Sequence, residues 1–366
     1  MCRWVCVLGL ELGTAAAAFL VAFPLTALLR LPTKTGRRGE VTPKIGGLSI
    51  LAAFVAAPFI MALFSEQARD FVTEDLQQFL ALALCGAAVC AVGARDDFRD
   101  VDWRIKLGVH LGAAAVLYAS GYRIDRMTLP GGGTLELGLA DPFVTVLWIA
   151  GVTNAINLID GRDGVAAGIG VLVSATMSYI AWDLGHNLIA MLFAALAGAS
   201  LGFLPFNLTN ARRFLGDSGA YLLGFTIAGL SVAGSLDSSG RVPLYIPLVA
   251  LGLPILDTGV AFLRRFLDGK HPMMADFDHF HDRIERLLGL SPLKVTLATY
   301  ALAAVFCGAA LLAHAWYKSV GSAVVGGGIV VFALFLIVVF GYVSSMWNSA
   351  RVLSLRGRAP HAKEQA

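Results

Sequence analysis

Residues 154–164 read NAINLIDGRDG. Asn154, Asn157, Asp160 and Asp163 recur every three residues, between an apolar run at 143–156 and another at 165–180. That spacing puts successive members on one face of a helix or helical turn. Asp-Gly and Arg-Asp-Gly then break the helix, because Gly tolerates backbone angles other residues avoid and Asp hydrogen-bonds its own turn. The result is a ladder of hard oxygen ligands where a helix leaves an apolar phase. A polar cap between two membrane spans would use the same residue types. The functional reading therefore depends on the same chemistry recurring elsewhere in the chain.

The flanking runs belong to a pattern that covers the chain. Of its 366 residues 57% are hydrophobic and 14% charged, and the mean hydropathy is +0.73. That leaves too little polar surface to coat a soluble globule. The expectation is an all-α, polytopic integral membrane protein embedded in a lipid bilayer. Runs long enough to cross about 30 Å of hydrocarbon fall at 4–29, 46–64, 78–94, 106–121, 142–158, 165–182, 188–206, 218–235, 243–263, 294–316 and 321–346, eleven spans. The first run is too long, and lacks a small-residue cleavage signal, for a signal peptide. A formal charge of +3 carries no nucleic-acid footprint, so nucleic acid is excluded as a partner. Cys2, Cys6, Cys85, Cys90 and Cys307 lie in or beside apolar runs without metal-ligand spacing and read as small apolar residues.

Loops after odd-numbered spans, with the C-terminal tail, hold 22 of the 28 Lys and Arg residues. Cations stay on the cytoplasmic side, so the N-terminus is expected outside and the C-terminus inside. Residues 1–350 form a single transmembrane catalytic domain on this reading, with its active-site loops on the cytoplasmic face, and 351–366 a basic tail.

Acids, amides and histidines concentrate in the inner loops. The loop at 31–47 carries Lys34, Arg37, Arg38 and Lys44, as topology anchors or a phosphate-attracting surface. The third span ends in ARDDFRDVDWRIK (94–106), where Asp96 and Asp97 are adjacent, Asp100 follows, and Trp103 and Lys106 close an alternating acid and base segment. Neighbouring carboxylates near an apolar boundary repel unless a cation or a proton lies between them. PFNLTNARRFLGDSGAYLLG (205–224) places Asp217 where a helix N-cap would sit, between glycines that leave backbone N–H groups open toward an anion. Asp257 precedes Arg264 and Arg265 by about two turns, and the pattern predicts an ion pair with one of them. The loop at 268–292 sets His279 and His281 among Asp276, Asp278, Asp282 and Arg283, without the further ligand a zinc site needs. These histidines read as hydrogen-bonding or charge contacts to a phosphorylated ligand. The outer loops carry a small hairpin at 122–142, an acidic segment at 65–77 without evident chemistry, and His186 as a polar residue.

Oxygen ligands without thiolates select a hard cation, Mg²⁺, which retains waters and binds substrate phosphates. Cations on the same face suit a pyrophosphate, and phosphoryl transfer needs little more than metal, positive charge and alignment.

These residues resemble the polyprenyl-phosphate N-acetylhexosamine-1-phosphate transferases, in particular the WecA-type branch that makes the first lipid-linked sugar of cell-surface polysaccharides. The likeness rests on DDFRD (96–100), NAINLIDGRDGVAAG (154–168), FNLTNARRFLGDSGAYLLG (206–224), PILDTGVAFLRR (254–265) and DFDHFH (276–281), together with the eleven-span, N-out topology. The resemblance implies transfer of a sugar phosphate, most often from UDP-GlcNAc, to undecaprenyl phosphate with release of UMP, at the cytoplasmic face of the bacterial inner membrane. It implies Mg²⁺, with Mn²⁺ able to substitute, held by Asp217 with Asn157 beside it. It gives Asp160 and Asp163 to the metal-nucleotide, and Asp96 and Asp97 to the lipid phosphate, one of them as a base. Lys106 goes to the pyrophosphate, and His279, His281 and Arg283 to the sugar or its phosphate. Asn154, Asp100, Trp103, Arg264 and Arg265 complete the substrate-binding set, and a homodimer is compatible with it. Asp282 departs from the pattern, where a second consecutive histidine is common, as do Asn210 and Arg212, where the loop is often less basic.

The phospho-N-acetylmuramoyl-pentapeptide transferase branch is the main alternative. Asp100, where that branch tends to lysine, and the missing run of consecutive histidines favour the N-acetylglucosaminyl branch. A cation-coupled transporter would place its acids near the membrane midplane between repeats, whereas here they cluster at helix ends. An assembly subunit with a dead site is the remaining alternative.

Overall fold

The computed structural model describes residues 2–29, 43–44, 46–128, 134–208, 211–233, 243–267, 269 and 279–320. The expected span at 321–346, the tail at 351–366, most of the loop at 31–47, and Asn210, Asp276 and Asp278 lie outside the described residues.

The chain is a helical bundle, as its hydropathy requires. Helices α1 (Cys2–Leu28), α2 (Gly46–Phe64), α3 (Glu66–Glu74), α4 (Leu76–Phe98) and α5 (Trp103–Ala119) lead to the hairpin. There β1 (Arg126–Thr128) pairs antiparallel with β2 (Thr134–Glu136), as the turn signals predict. Helices α6 (Asp141–Ile159), α7 (Val165–Asp183), α8 (Asn187–Asn207) and α9 (Gly216–Ala233) form the centre. The chain continues through α10 (Tyr245–Ala250), α11 (Gly252–Leu267), α12 (Phe280–Leu288) and α13 (Pro292–Val320).

Among the described residues seven helices are long and apolar enough to cross a membrane, against the eleven runs read from hydropathy. The run at 243–263 is two helices, α10 and α11, that meet at Leu251. Pro254 lies in the first turn of α11 and has no N–H to bond back into α10, which accounts for the break. The acidic segment at 65–77 is helical too: Ser65 caps α3 by accepting the Ala68 N–H at 3.3 Å.

Helix α9 is the axis of the bundle, with every residue from Ser218 to Ala233 buried. An element apolar on all sides belongs inside other helices. Small residues let its neighbours reach it. A Cβ on Gly93 of α4 would lie 2.5 Å from the Ser218 backbone N, and one on Gly47 of α2 2.6 Å from the Ser218 carbonyl carbon. A Cβ on Gly224 would lie 2.7 Å from Thr153 Cα on α6. Gly198 and Gly202 do the same where α8 meets α1, a small-xxx-small contact of membrane helices. The Trp148 indole N–H donates to Ser231 Oγ at 3.0 Å and fastens α6 to α9. This packing fixes where the N-terminus of α9 emerges, and with it Asp217.

Candidate active site

The ends of α4, α6 and α9 meet at one end of the bundle, each bringing one of the sequence clusters. Asp97, 1% exposed, is held against the start of α9. Its carboxylate accepts the N–H of Asp217 at 3.1 Å and of Ser218 at 3.2 Å, and lies 3.3 Å from Lys44 Nζ. The helix N-terminus that the sequence leaves open toward a phosphate is therefore occupied by a side chain of the protein itself. The physical reason is proximity: Gly216, at φ +72°, has no Cβ to hold Asp97 away, and Asp97 Oδ2 would lie 2.4 Å from such an atom. A buried carboxylate meets the positive end of a helix favourably.

Asp96, the residue before Asp97, turns its carboxyl toward Lys106 and the Asp217 side chain. It accepts the Val101 N–H at 2.7 Å, which folds the 99–102 turn, and pairs with Lys106 Nζ at 3.3 Å. Lys106 also stands 3.6 Å from Asp217 Oδ2 and so spans two clusters. Asp217 is fixed from three sides: by Lys106, by the Asn157 amide donating to Oδ1 at 3.1 Å, and by the Tyr221 hydroxyl donating to Oδ2 at 3.1 Å.

The 160–164 turn is pinned from outside. Gly164 adopts φ +81°, its N–H donates to Asn207 Oδ1 at 3.0 Å, and its carbonyl accepts the Tyr300 hydroxyl at 2.6 Å. Asp163 accepts the Ala211 N–H at 3.1 Å through its side chain and the Thr296 hydroxyl at 3.2 Å through its carbonyl. With the turn so held, Lys44, Asn157, Asp160, Arg162, Asp163 and Asp217 line a pocket of about 230 Å³. Burial pushes the Asp160 carboxyl well above the usual carboxylate range; Asp217, Asp97 and Asp163 push it further, and Lys44 offsets them only in part.

This donor set suits a hard cation. Among the described residues no three of the His, Cys, Asp and Glu side chains close into a metal cage. Mg²⁺ does not ask for one, since it keeps waters and completes its shell with substrate phosphates around one or two carboxylates. Asp217 and the Asn157 carbonyl oxygen offer that partial shell, and the crowding at Asp160 is what a divalent ion relieves.

His279 and His281, at the start of α12, lie beside this pocket and are buried. On α11 the Asp257 carboxylate has partners beyond those the sequence spacing predicts. It accepts the Phe280 N–H at 2.9 Å, capping α12, and bonds His279 Nδ1 at 2.8 Å. The fold returns the 279–280 segment to α11, which helical spacing within one element does not reveal. His279 and His281 are 6% and 2% exposed, with stacked rings 5.8 Å apart. His281 packs on the pocket turn, where a Cβ on Gly161 would lie 2.6 Å from its Nε2; its burial lowers the imidazole's affinity for a proton. Arg162 bonds Asp282 at 3.1 Å and also Glu285, which gives the unusual Asp282 a partner.

The remaining expected residues stand apart from the pocket wall. Asn154 donates back to the Ala150 carbonyl at 2.7 Å, one turn from Asn157. Asp100 is exposed, and Trp103 is 41% exposed with the Arg104 guanidinium 5.5 Å over its ring. Arg264 is half-buried on α11 and Arg265 buried; Arg283 is half-buried on α12. Sequence reasoning does not single out Tyr221, hidden in an apolar span, nor Arg162 and Asn207. Lys44 was one of four loop cations with nothing to distinguish it.

The profile of glycosyl transferase family 4 matches residues 79–235, from the first turn of α4 to just past the end of α9. The chain is 34% identical, over 277 residues, to a protein of Bacillus subtilis named a probable undecaprenyl-phosphate N-acetylglucosaminyl 1-phosphate transferase, covering 75% of this chain and 74% of that one. It is 30% identical over 281 residues to the decaprenyl-phosphate N-acetylglucosaminephosphotransferase of Mycobacterium tuberculosis, covering 71% and 69%. A phospho-N-acetylmuramoyl-pentapeptide-transferase of Clostridium perfringens is 30% identical over 281 residues, covering 73% and 80%.

Proposed function

Since the chain belongs to glycosyl transferase family 4, we propose that it is a polyprenyl-phosphate N-acetylhexosamine-1-phosphate transferase, with UDP-GlcNAc as donor and undecaprenyl phosphate as acceptor. In the net reaction a phosphate oxygen of the lipid forms a bond to the phosphorus of the sugar 1-phosphate. The bond from that phosphorus to UMP breaks, leaving a lipid diphosphate sugar. The observation that carries the reading is the convergence of Asp160, Asp217, Asn157 and Lys44 on one pocket.

Mg²⁺, when bound by Asp217 and Asn157, supplies charge neutralisation for the diphosphate. The protein does the rest by alignment. Lys106 and Lys44 bring positive charge to the two sides of the carboxylate cluster. Asp160 and Asp163 orient the nucleotide diphosphate from the pinned turn. Asp96, half-buried beside Lys106, addresses the lipid phosphate, and Asp97 acts by holding α9 in place. On this reading the N-terminus lies outside and the pocket opens to the cytoplasm.

A second reading is favoured by the 30% identity to the Clostridium protein: a donor carrying N-acetylmuramoyl-pentapeptide. Purified protein given each UDP donor with undecaprenyl phosphate and Mg²⁺ separates the two. The proposal expects UMP release with UDP-GlcNAc and little with the pentapeptide donor. The reverse outcome selects the second reading, and no release with either removes both.

A further inference from the structure

His110 lies one helical turn after Lys106 on α5 and has no exposed surface. Among the described residues neither of its ring nitrogens has a hydrogen-bond partner. Burying an imidazole that way costs free energy that an apolar side chain would avoid. Its ring meets the Tyr221 ring edge to face, with centroids 4.4 Å apart and planes at 67°. Edge-to-face contact at that separation is attractive and directional. Tyr221, 3% exposed, sends its hydroxyl to Asp217 Oδ2, the oxygen that Lys106 approaches from the same face of α5.

We propose that His110 is a positioning residue for Asp217: its ring fixes the Tyr221 ring, and through the Tyr221 hydroxyl fixes the carboxylate at the pocket. The inference rests on the reading of Asp217 as a ligand of Mg²⁺. The bond between Asp217 and Tyr221 joins residues four apart on α9. The His110 ring braces the Tyr221 ring from a different helix. Orientation of a metal ligand by the group behind it is a known determinant of metal affinity.

The test measures the Mg²⁺ requirement in two ways on detergent-purified full chain: initial rate against Mg²⁺, and the rise in unfolding temperature that Mg²⁺ produces without donor. His110→Leu fills the space without a ring edge, and is expected to raise the half-saturating Mg²⁺ about three- to tenfold in both readouts. His110→Phe restores the edge and is expected to return the requirement to that of the parent. Tyr221→Phe, which removes only the hydroxyl, raises it as well, and adding His110→Leu to it brings little further change. Unchanged half-saturation in His110→Leu, with only a lower unfolding temperature, reduces the ring to packing and overturns the proposal. Asp217→Asn separates the two levels. If it abolishes the Mg²⁺ response while His110→Leu leaves it intact, only the positioning role falls; if it leaves the response intact, the metal assignment falls and takes the positioning role with it.

Discussion

Asp97 and Asp217 are joined through the backbone, the carboxylate of one accepting the peptide N–H of the other at 3.1 Å, with Ser218 N–H beside it at 3.2 Å. Both acids stand in the carboxylate cluster, yet their surroundings divide the work. Asp97 is buried and spends its oxygens on α9 and Lys44, whereas Asp217 keeps its side chain at the pocket. Replacing Asp97 by Asn removes the charge that strengthens both bonds, each worth about 1.5–3 kcal/mol with a charged acceptor. Asp97→Asn should therefore lower the unfolding temperature and activity together. Asp217→Asn should abolish activity at nearly unchanged stability. An Asp97→Asn protein as stable as the parent but inactive would return Asp97 to direct chemistry.

The close approach of α8 to α1 gives a sharper packing prediction. A Cβ on Gly198 would stand 2.1 Å from the Ala15 carbonyl oxygen, a backbone atom that cannot rotate away. Gly198→Ala must push the helices apart and should cost at least about 2 kcal/mol, seen as a lower unfolding temperature or loss of folded protein. Gly112 on α5 has nothing within 4 Å of the same position, so Gly112→Ala should be neutral or stabilising by up to about 1 kcal/mol. Equal effects at the two sites would contradict the packing described.

These contacts mark where sequence reasoning succeeds. Helix class and the acid clusters are legible because hydropathy and the local punctuation of Asp, Asn and Gly are properties of neighbouring residues. Asp160, Asp163 and Asp217 could be named from such signals alone. The contact of Asp257 with His279 could not, because the two residues lie 22 apart in sequence and outside any one helix. Tyr221 and His110 were hidden for the opposite reason, since inside an apolar run a ring reads as core. The break between α10 and α11 did carry a local sign in Pro254, outweighed by a continuous hydropathy signal.

Arg162 ties the pocket turn to α12 through Asp282 and Glu285. The guanidinium holds the Glu285 carboxyl below its usual range, first by hydrogen bonding. The site is partly exposed, so its contribution to global stability stays at about 1 kcal/mol or less. The expected effect of Arg162→Ala is local: faster amide exchange across α12 with little change in unfolding temperature. Arg162→Ala combined with Glu285→Ala should exchange no faster than Arg162→Ala alone. Additive acceleration would show that the two side chains act independently.

Asp160 makes stability depend on pH in a direction its surroundings fix. Its folded-state pKa is raised, by burial first and then by Asp217, Asp97 and Asp163. The unfolded chain therefore loses its proton at lower pH than the folded one. Between those two values the folded state binds more protons, so metal-free stability is fullest below the ordinary carboxylate pKa and falls as pH rises toward the folded one. Unfolding temperatures measured without metal from about pH 4 to pH 8 should decline across that range. Asp160→Asn should flatten the decline, matching the parent at the acid end and exceeding it at the alkaline end. Because a divalent cation relieves the same repulsion, Mg²⁺ should stabilise the parent more at pH 8 than at about pH 5, while the Asp160→Asn protein gains less at either pH. A parent whose metal-free stability does not fall with pH, or an Asp160→Asn protein with the parent's slope, would mean that the pocket carries no uncompensated negative charge.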